Sequence, residues 1–283
     1  MSLALNLDIL NARPVVLPPA PQVELWLIGC GGTGSFLVQL LCRVVLMLQE
    51  QGRGAKLVLV DPDGVEAKNI TRQCFCGAEV GSNKAHTLAR RYGAALGLPI
   101  TAIAEPFSPR MPDCGRQCLT VLCGCVDNAE ARRSILAALD LGNSRRDLPM
   151  TWWIDGGNSE HHGQVLAGNC TSLDLQDYGL DAESCLYLPA PNVQAPELLV
   201  PRPEERLASA PLSCAELAMA NAQSLMVNPQ VATVMGRFVL DLLTGHLERF
   251  ATTFDQRTGT MASQYSSPQG IRAMVQRHAR GTS

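Results

Sequence analysis

Gly29-Cys30-Gly31-Gly32-Thr33-Gly34 lies between an apolar run, residues 23–28, and a long helical segment, residues 34–50. A strand, a glycine loop and a helix in that order begin a parallel βαβ unit. Glycine permits φ > 0 and lets a phosphate approach the helix N-terminus, where unpaired N–H groups point outward. The spacing G-x-G-x-x-G therefore predicts a nucleotide site without choosing the nucleotide; a loop of this kind can also serve only to pack helix on sheet. The alternation continues downstream. Residues 56–60, 100–104 and 119–126 read as strands, and residues 83–96, capped by Ser82, and 130–139 as helices. The expected fold is a mostly parallel, doubly wound α/β sheet.

The second half reads differently. Residues 151–155 and 163–167 form strands about a polar turn, and residues 249–255 and 260–264 a closing hairpin, which predicts an antiparallel C-terminal extension. Residues 215–222 and 229–243 read as helices. Residues 170–214 are proline-rich and aperiodic, a long and partly mobile crossover loop of a length that points to function. The expected organisation is a flexible leader over 1–21, one domain over 22–268 with its nucleotide half at 22–145, and a solvated basic tail over 269–283 carrying Arg272, Arg277 and Arg280. Trp152 and Trp153 alternate in a strand, so one is expected in the core and the other at a protein contact. His161 and His162 fall in the polar turn and are expected to be exposed there rather than to bind metal.

At 283 residues, with 46% hydrophobic and 17% charged side chains and a formal charge of -3, the chain has the balance of an ordinary globule. That charge points to no nucleic-acid or membrane partner. The N-terminus lacks a cationic signal region, and the longest apolar run, residues 35–48, is interrupted by Arg43. Eleven cysteines, an odd number in an α/β pattern, argue against a disulfide framework and for mostly reduced, buried thiols, hence a cytoplasmic location.

The strand after the first helix ends at Asp61, where a carboxylate meets a ribose hydroxyl. An NAD(P)-dependent oxidoreductase shows the same feature. The following residues fit a triphosphate better: Asp61-Pro-Asp63-Gly-Val65-Glu66, Asn69, Arg72-Gln73, then Val80-Gly81 and Lys84-Ala85. Three ATP phosphates call for several cations and a metal carboxylate. Arg72 and Lys84 supply cations, and Asp127, after the strand at 119–126, a magnesium ligand. Alone, each is an ordinary surface charge; in this order on one frame they point to one site.

These blocks, with Val126-Asp127-Asn128, resemble the ThiF/MoeB/HesA family, relatives of ubiquitin-activating enzymes. The resemblance implies a Rossmann-like domain that adenylates the C-terminal carboxylate of a ubiquitin-like protein with ATP and magnesium. It implies the glycine loop Gly29, Gly31, Gly32 and Gly34 together with Asp61 and Asp63, phosphate contacts from Asn69, Arg72, Gln73 and Lys84, and Asp127 on the metal. Trp153 to Asn158, Gly163 to Val165, Pro211 to Glu216 and Val227-Asn228 look like the ThiF-family protein of the PRTRC gene system, which implies a conjugating-enzyme-like second partner. The family likeness also implies a homodimer. Two departures stand out. The family's upstream arginine has only Arg13 as a counterpart, in a proline-rich setting, and without a C-x-x-C motif no structural zinc is expected.

Adenylation needs no nucleophilic side chain, whereas onward transfer needs a thiolate. Cys30, Cys42, Cys123 and Cys125 read as core, Cys74 and Cys76 as partly exposed with packing favoured, and Cys114 and Cys118 as thiols flanking a polar turn. Cys214, at the start of a predicted helix, is the candidate acceptor, a chemistry that stops at the adenylate stands close beside it, and Cys185 comes third. Adenylation of a small molecule, a peptide or a tRNA base, and a non-catalytic scaffold, stand as competing readings beside the oxidoreductase.

Overall fold

The strands β1 (Gln22–Ile28), β2 (Gly54–Val60), β3 (Ile100–Ile103), β4 (Cys118–Gly124), β5 (Thr151–Asn158), β6 (His162–Gly168), β7 (Arg249–Asp255) and β8 (Thr260–Tyr265) form one sheet in the order β3-β2-β1-β4-β5-β6-β7-β8. β3 to β5 pair in parallel and β5 to β8 antiparallel. This is a computed structural model describing residues 7–113, 115, 117–144, 148–201 and 225–281. The helices of use below are α1 (Gly32–Glu50), α2 (Lys84–Leu96), α3 (Ala129–Ser144), α4 (Pro191–Gln194), α5 (Val227–Thr244) and α6 (Pro268–Gly281).

Both faces of the parallel half are covered, as uninterrupted apolar strands require. Leu25, Leu27, Leu57, Leu59 and Trp152 enter the core shared with α1, α2 and α5. Trp26, Ile28, Val58, Val60 and Trp153 enter a second core against Ile135, Ala138 and Leu139 of α3. Trp152 and Trp153 are therefore both fully buried, and neither is left for a protein contact. A strand wrapped on two sides offers two interiors.

Several expected boundaries shift. Asn83, not Ser82, caps α2, its Oδ1 accepting from the His86 N–H at 3.0 Å. The leader is not loose over residues 7–21. Val15 is buried, its N–H donates to the Leu247 carbonyl, and it bridges Cys185. Arg13 donates to the Leu180 carbonyl and so has an in-chain partner. Residues 170–201 are not a free loop either: short helical turns including α4 pack there, with Tyr178, Leu188 and Val193 in the core. The tail to Gly281 is a helix, α6, that buries Ile271, Met274 and Val275. Its arginines hid an apolar face at helical spacing. Residues 202–224, with Cys214 and the predicted helix 215–222, lie outside the described residues.

α1 is long and apolar enough by length and composition to cross a membrane, since the helix extends past both ends of the apolar run at 35–48 and stays apolar on average despite Arg43. Ten of its residues are buried against the sheet and α5, the other setting in which such a helix occurs. Among the described cysteines eight are free thiols and Cys118 is disulfide-bonded, so most of the described cysteines, though not all, are reduced.

Candidate functional site

Strand order reverses between β1 and β4, and ligands of open α/β sheets bind beyond the carboxyl ends of strands at such a switch point. There the chain leaves a cavity of about 740 Å³. Its wall brings together Gly29, Gly31 and Gly32, then Asp61 and Asp63, then Asn69, Arg72, Gln73, Lys84 and Asp127. Gly34 is the one glycine of the motif outside that wall. A Cβ there would overlap the Gly29 carbonyl oxygen, so its job is to let α1 close on the β1 turn. Gly29 has φ +90°, and a Cβ on it would meet the Cys125 carbonyl oxygen at 2.5 Å. The loop is thus glycine at both points for steric reasons.

Asp61 ends β2 and is 5% exposed. Its Oδ2 accepts from the Cys30 N–H at 2.6 Å and its Oδ1 from the Asp63 N–H at 2.8 Å. Burial pushes its carboxyl above the ordinary value, against the pull of those two N–H groups. The carboxylate is locked in place with lone pairs to spare for a ligand hydroxyl. The turn that follows is stapled to α2: Asn83 Nδ2 donates to the Asp61 and Asp63 carbonyls, and Lys84 Nζ pairs with Asp63 Oδ2 at 2.9 Å. Lys84, the first residue of α2, is 6% exposed.

Asn69 does local work, its Oδ1 accepting from the Glu66 N–H at 2.8 Å to shape a 3₁₀ turn. The turn's carbonyl at Asn69 receives the N–H groups of Arg72 and Gln73, which places both side chains at the wall. Arg72 Nε and Gln73 Oε1 are buried with no hydrogen-bond partner among the described residues. Buried polar atoms left unpaired cost free energy, and at a cavity wall they mark a place where a polar ligand completes the set. Asp127 is exposed beyond β4, its Oδ1 accepting from Asn128 Nδ2 at 3.4 Å. One carboxylate plus a ligand's own phosphates is a donor set that suits magnesium, so the residues present fit that ion.

Three wall residues were not singled out as site residues from the sequence. Asn228, at the start of α5, donates through Nδ2 to the Arg72 carbonyl at 3.4 Å. Its Oδ1 accepts from Thr33 Oγ1 and Asn158 Nδ2. A Cβ on Gly32 would collide with it, which is why that glycine is needed. The third is Arg132. No short motif joins Asn158 and Asn228, 70 residues apart, so only the fold reveals their contact.

Cys185 is poorly suited to nucleophilic work as placed. It is buried and its Sγ donates to the Tyr187 carbonyl at 2.9 Å, while burial pushes its thiol up to about 11. Cys30 and Cys125 are likewise raised by burial. His162 pairs with Asp255 Oδ2 at 3.0 Å on β6 and lies away from the nucleotide-sized cavity, though in the wall of its neighbour.

The family model for the ThiF family matches residues 21–264. No curated protein matches by sequence. Among solved structures, PaaA superposes with a TM-score of 0.53 at 15% identity, over 87% of this chain and 65% of that one. Escherichia coli MccB with ATP gives 0.53 at 17% identity, over 92% of this chain and 66% of that one. The microcin biosynthetic enzyme MccB in complex with N-formylated MccA gives 0.52 at 15%, over 88% and 66%. The chain spans just under two thirds of the length of these relatives, and at such identities the likeness is one of fold.

Proposed function

The chain belongs to the ThiF family, and from that premise we propose that it uses MgATP to adenylate the C-terminal carboxylate of a small ubiquitin-like protein. The observation that carries this reading is the single cavity that gathers the glycine loop, Asp61, Arg72, Gln73, Lys84 and Asp127 from five separate segments. In it the β1–α1 loop and the N-terminus of α1 face the phosphates, and Asp61 takes the ribose hydroxyls. Arg72, Gln73 and Lys84 hold the charge that moves onto the leaving pyrophosphate, and Asp127 would hold magnesium, which neutralises the phosphates when bound. A carboxylate oxygen of the substrate attacks the α-phosphorus, the bond to the bridging oxygen breaks, and pyrophosphate leaves. MccB solved with N-formylated MccA supports a second reading, in which the carboxylate belongs to a short peptide.

Exchange of labelled pyrophosphate into ATP is expected only with magnesium and the carboxylate substrate both present. Tight NADH binding with no response to ATP would overturn the reading in favour of an oxidoreductase. The same proposal includes a cytoplasmic homodimer with a conjugating-enzyme-like partner of the PRTRC kind, and light scattering of the active enzyme should read a dimer.

Cys214, outside the described residues, is proposed as acceptor of the activated acyl group. In that step its thiolate attacks the acyl carbonyl and AMP leaves. Cys214→Ser should keep pyrophosphate exchange and lose the reductant-sensitive conjugate seen on non-reducing gels, whereas Cys185→Ser should keep both. A wild-type chain that exchanges briskly and never forms the conjugate stops at the adenylate.

A further inference from the structure

Beside the nucleotide-sized cavity lies a second of about 670 Å³, walled by β6, β7 and β8 and by the turn at Pro196–Leu199. The two cavities share four wall residues, Arg132, Gly157, Asn158 and Ser159. Three of these are small or neutral. Arg132 is the charged group at the join.

Its placement is built by the fold. Asn128 Oδ1 accepts from the Ala131 N–H at 2.9 Å, capping the first turn of α3, and Arg132 leaves that turn toward the sheet. Trp153 and Asp155 alternate onto the face that α3 covers. Arg132 Nε donates to Asp155 Oδ1 at 3.2 Å and Oδ2 at 3.3 Å. The guanidinium residue is 3% exposed and the aspartate 0%. Gly124 on the adjacent strand makes the room, since a Cβ there would stand 2.9 Å from Asp155 Oδ1.

A buried ion pair is weak evidence of a need for stability, because well-packed apolar residues often do as well or better. What an apolar pair lacks is donors. A guanidinium carries five N–H groups in a planar fork. Among the described residues the hydrogen bonds of the Arg132 side chain run through Nε, which leaves its Nη groups. Asp155 thus fixes the plane and rotamer of the fork from one edge. The other edge has the geometry that takes a carboxylate two-handed.

We infer that Arg132 is the positioning residue that receives the carboxylate end of an extended peptide tail entering through the second cavity, and turns it toward the α-phosphate. This rests on the nucleotide reading proposed above and names the residue that selects the second substrate. One carboxylate oxygen forms the bond to phosphorus as pyrophosphate departs. The other becomes the acyl carbonyl and keeps its hydrogen bond to the Nη edge.

The test uses AMP and 5′-O-(glycylglycyl)sulfamoyladenosine, a stable mimic of an acyl adenylate whose acyl carbonyl reports on the Nη edge. Arg132→Gln alone would strand a buried carboxylate, so the variant is the neutral pair Arg132→Gln with Asp155→Asn. The wild-type protein should bind the mimic roughly 10- to 100-fold more tightly than AMP, the span for hydrogen bonds to a charged group. In the paired variant the advantage of the mimic over AMP should fall to about threefold or less, whatever the change in AMP affinity itself. A purely structural role would leave that ratio unchanged. An advantage that survives in the paired variant, or a wild type that binds AMP with no acyl advantage, overturns the assignment of Arg132 and leaves the nucleotide site standing. A wild type that binds neither ligand overturns the nucleotide reading itself, and this inference with it.

Discussion

Lys84→Ala is expected to lower pyrophosphate–ATP exchange by roughly 10²-fold or more, the scale for losing a fixed charge partner of a transition state. The loss falls on turnover rather than on the fold. Lys84 is buried, but its partner Asp63 has a side chain 66% exposed, so removing the lysine leaves an aspartate that water already solvates. Asp127→Ala should abolish exchange with an unchanged urea midpoint, because that side chain stands exposed at the wall and packs against nothing in the core. Steady-state exchange measured beside urea titrations separates the two effects. Near-normal exchange in either variant means the phosphates lie elsewhere.

Asp155→Ala should be the most damaging single change to stability described here. It leaves the guanidinium of Arg132, 3% exposed, without its carboxylate. Breaking a buried pair by deleting one partner costs about 3–5 kcal/mol. Against a typical domain stability of roughly 5–15 kcal/mol that is a large share. The urea midpoint reads it directly, and a loss below about 1 kcal/mol would mean that water reaches the arginine. Asp155→Asn with Arg132→Gln should recover most of the loss, since both groups become neutral together.

Much of the site could be read along the chain because each part is a local pattern. The glycine loop, the Asp61-Pro-Asp63 turn, Lys84 and Asp127 each sit near the end of a strand or the start of a helix, with Arg72-Gln73 in the connection between β2 and α2, and a doubly wound sheet delivers such segments to one edge. The strands were legible for the same reason, as short apolar runs between turn residues. What failed were the segments whose partners lie far off in sequence. The leader reads as loose by its prolines, yet Val15 is held by Leu247 and Cys185. The tail reads as a basic fringe, yet Ile271, Met274 and Val275 fall on one helix face. Residues 170–201 have no period because their core side chains are gathered one at a time.

The sequence by itself determined the order of strand and helix, the glycine loop and the set of charges that the loop gathers, because these depend on periodicity and spacing within a few turns of chain. Only the tertiary structure decided that Trp152 and Trp153 are both interior, that Asn158 and Asn228 meet across Gly32, and that Arg132 and Asp155 form a buried pair between two cavities. Each of those depends on which elements lie against one another. A buried charge is tolerable only where another element brings its counter-charge, and that meeting is a property of the packed sheet rather than of either segment alone.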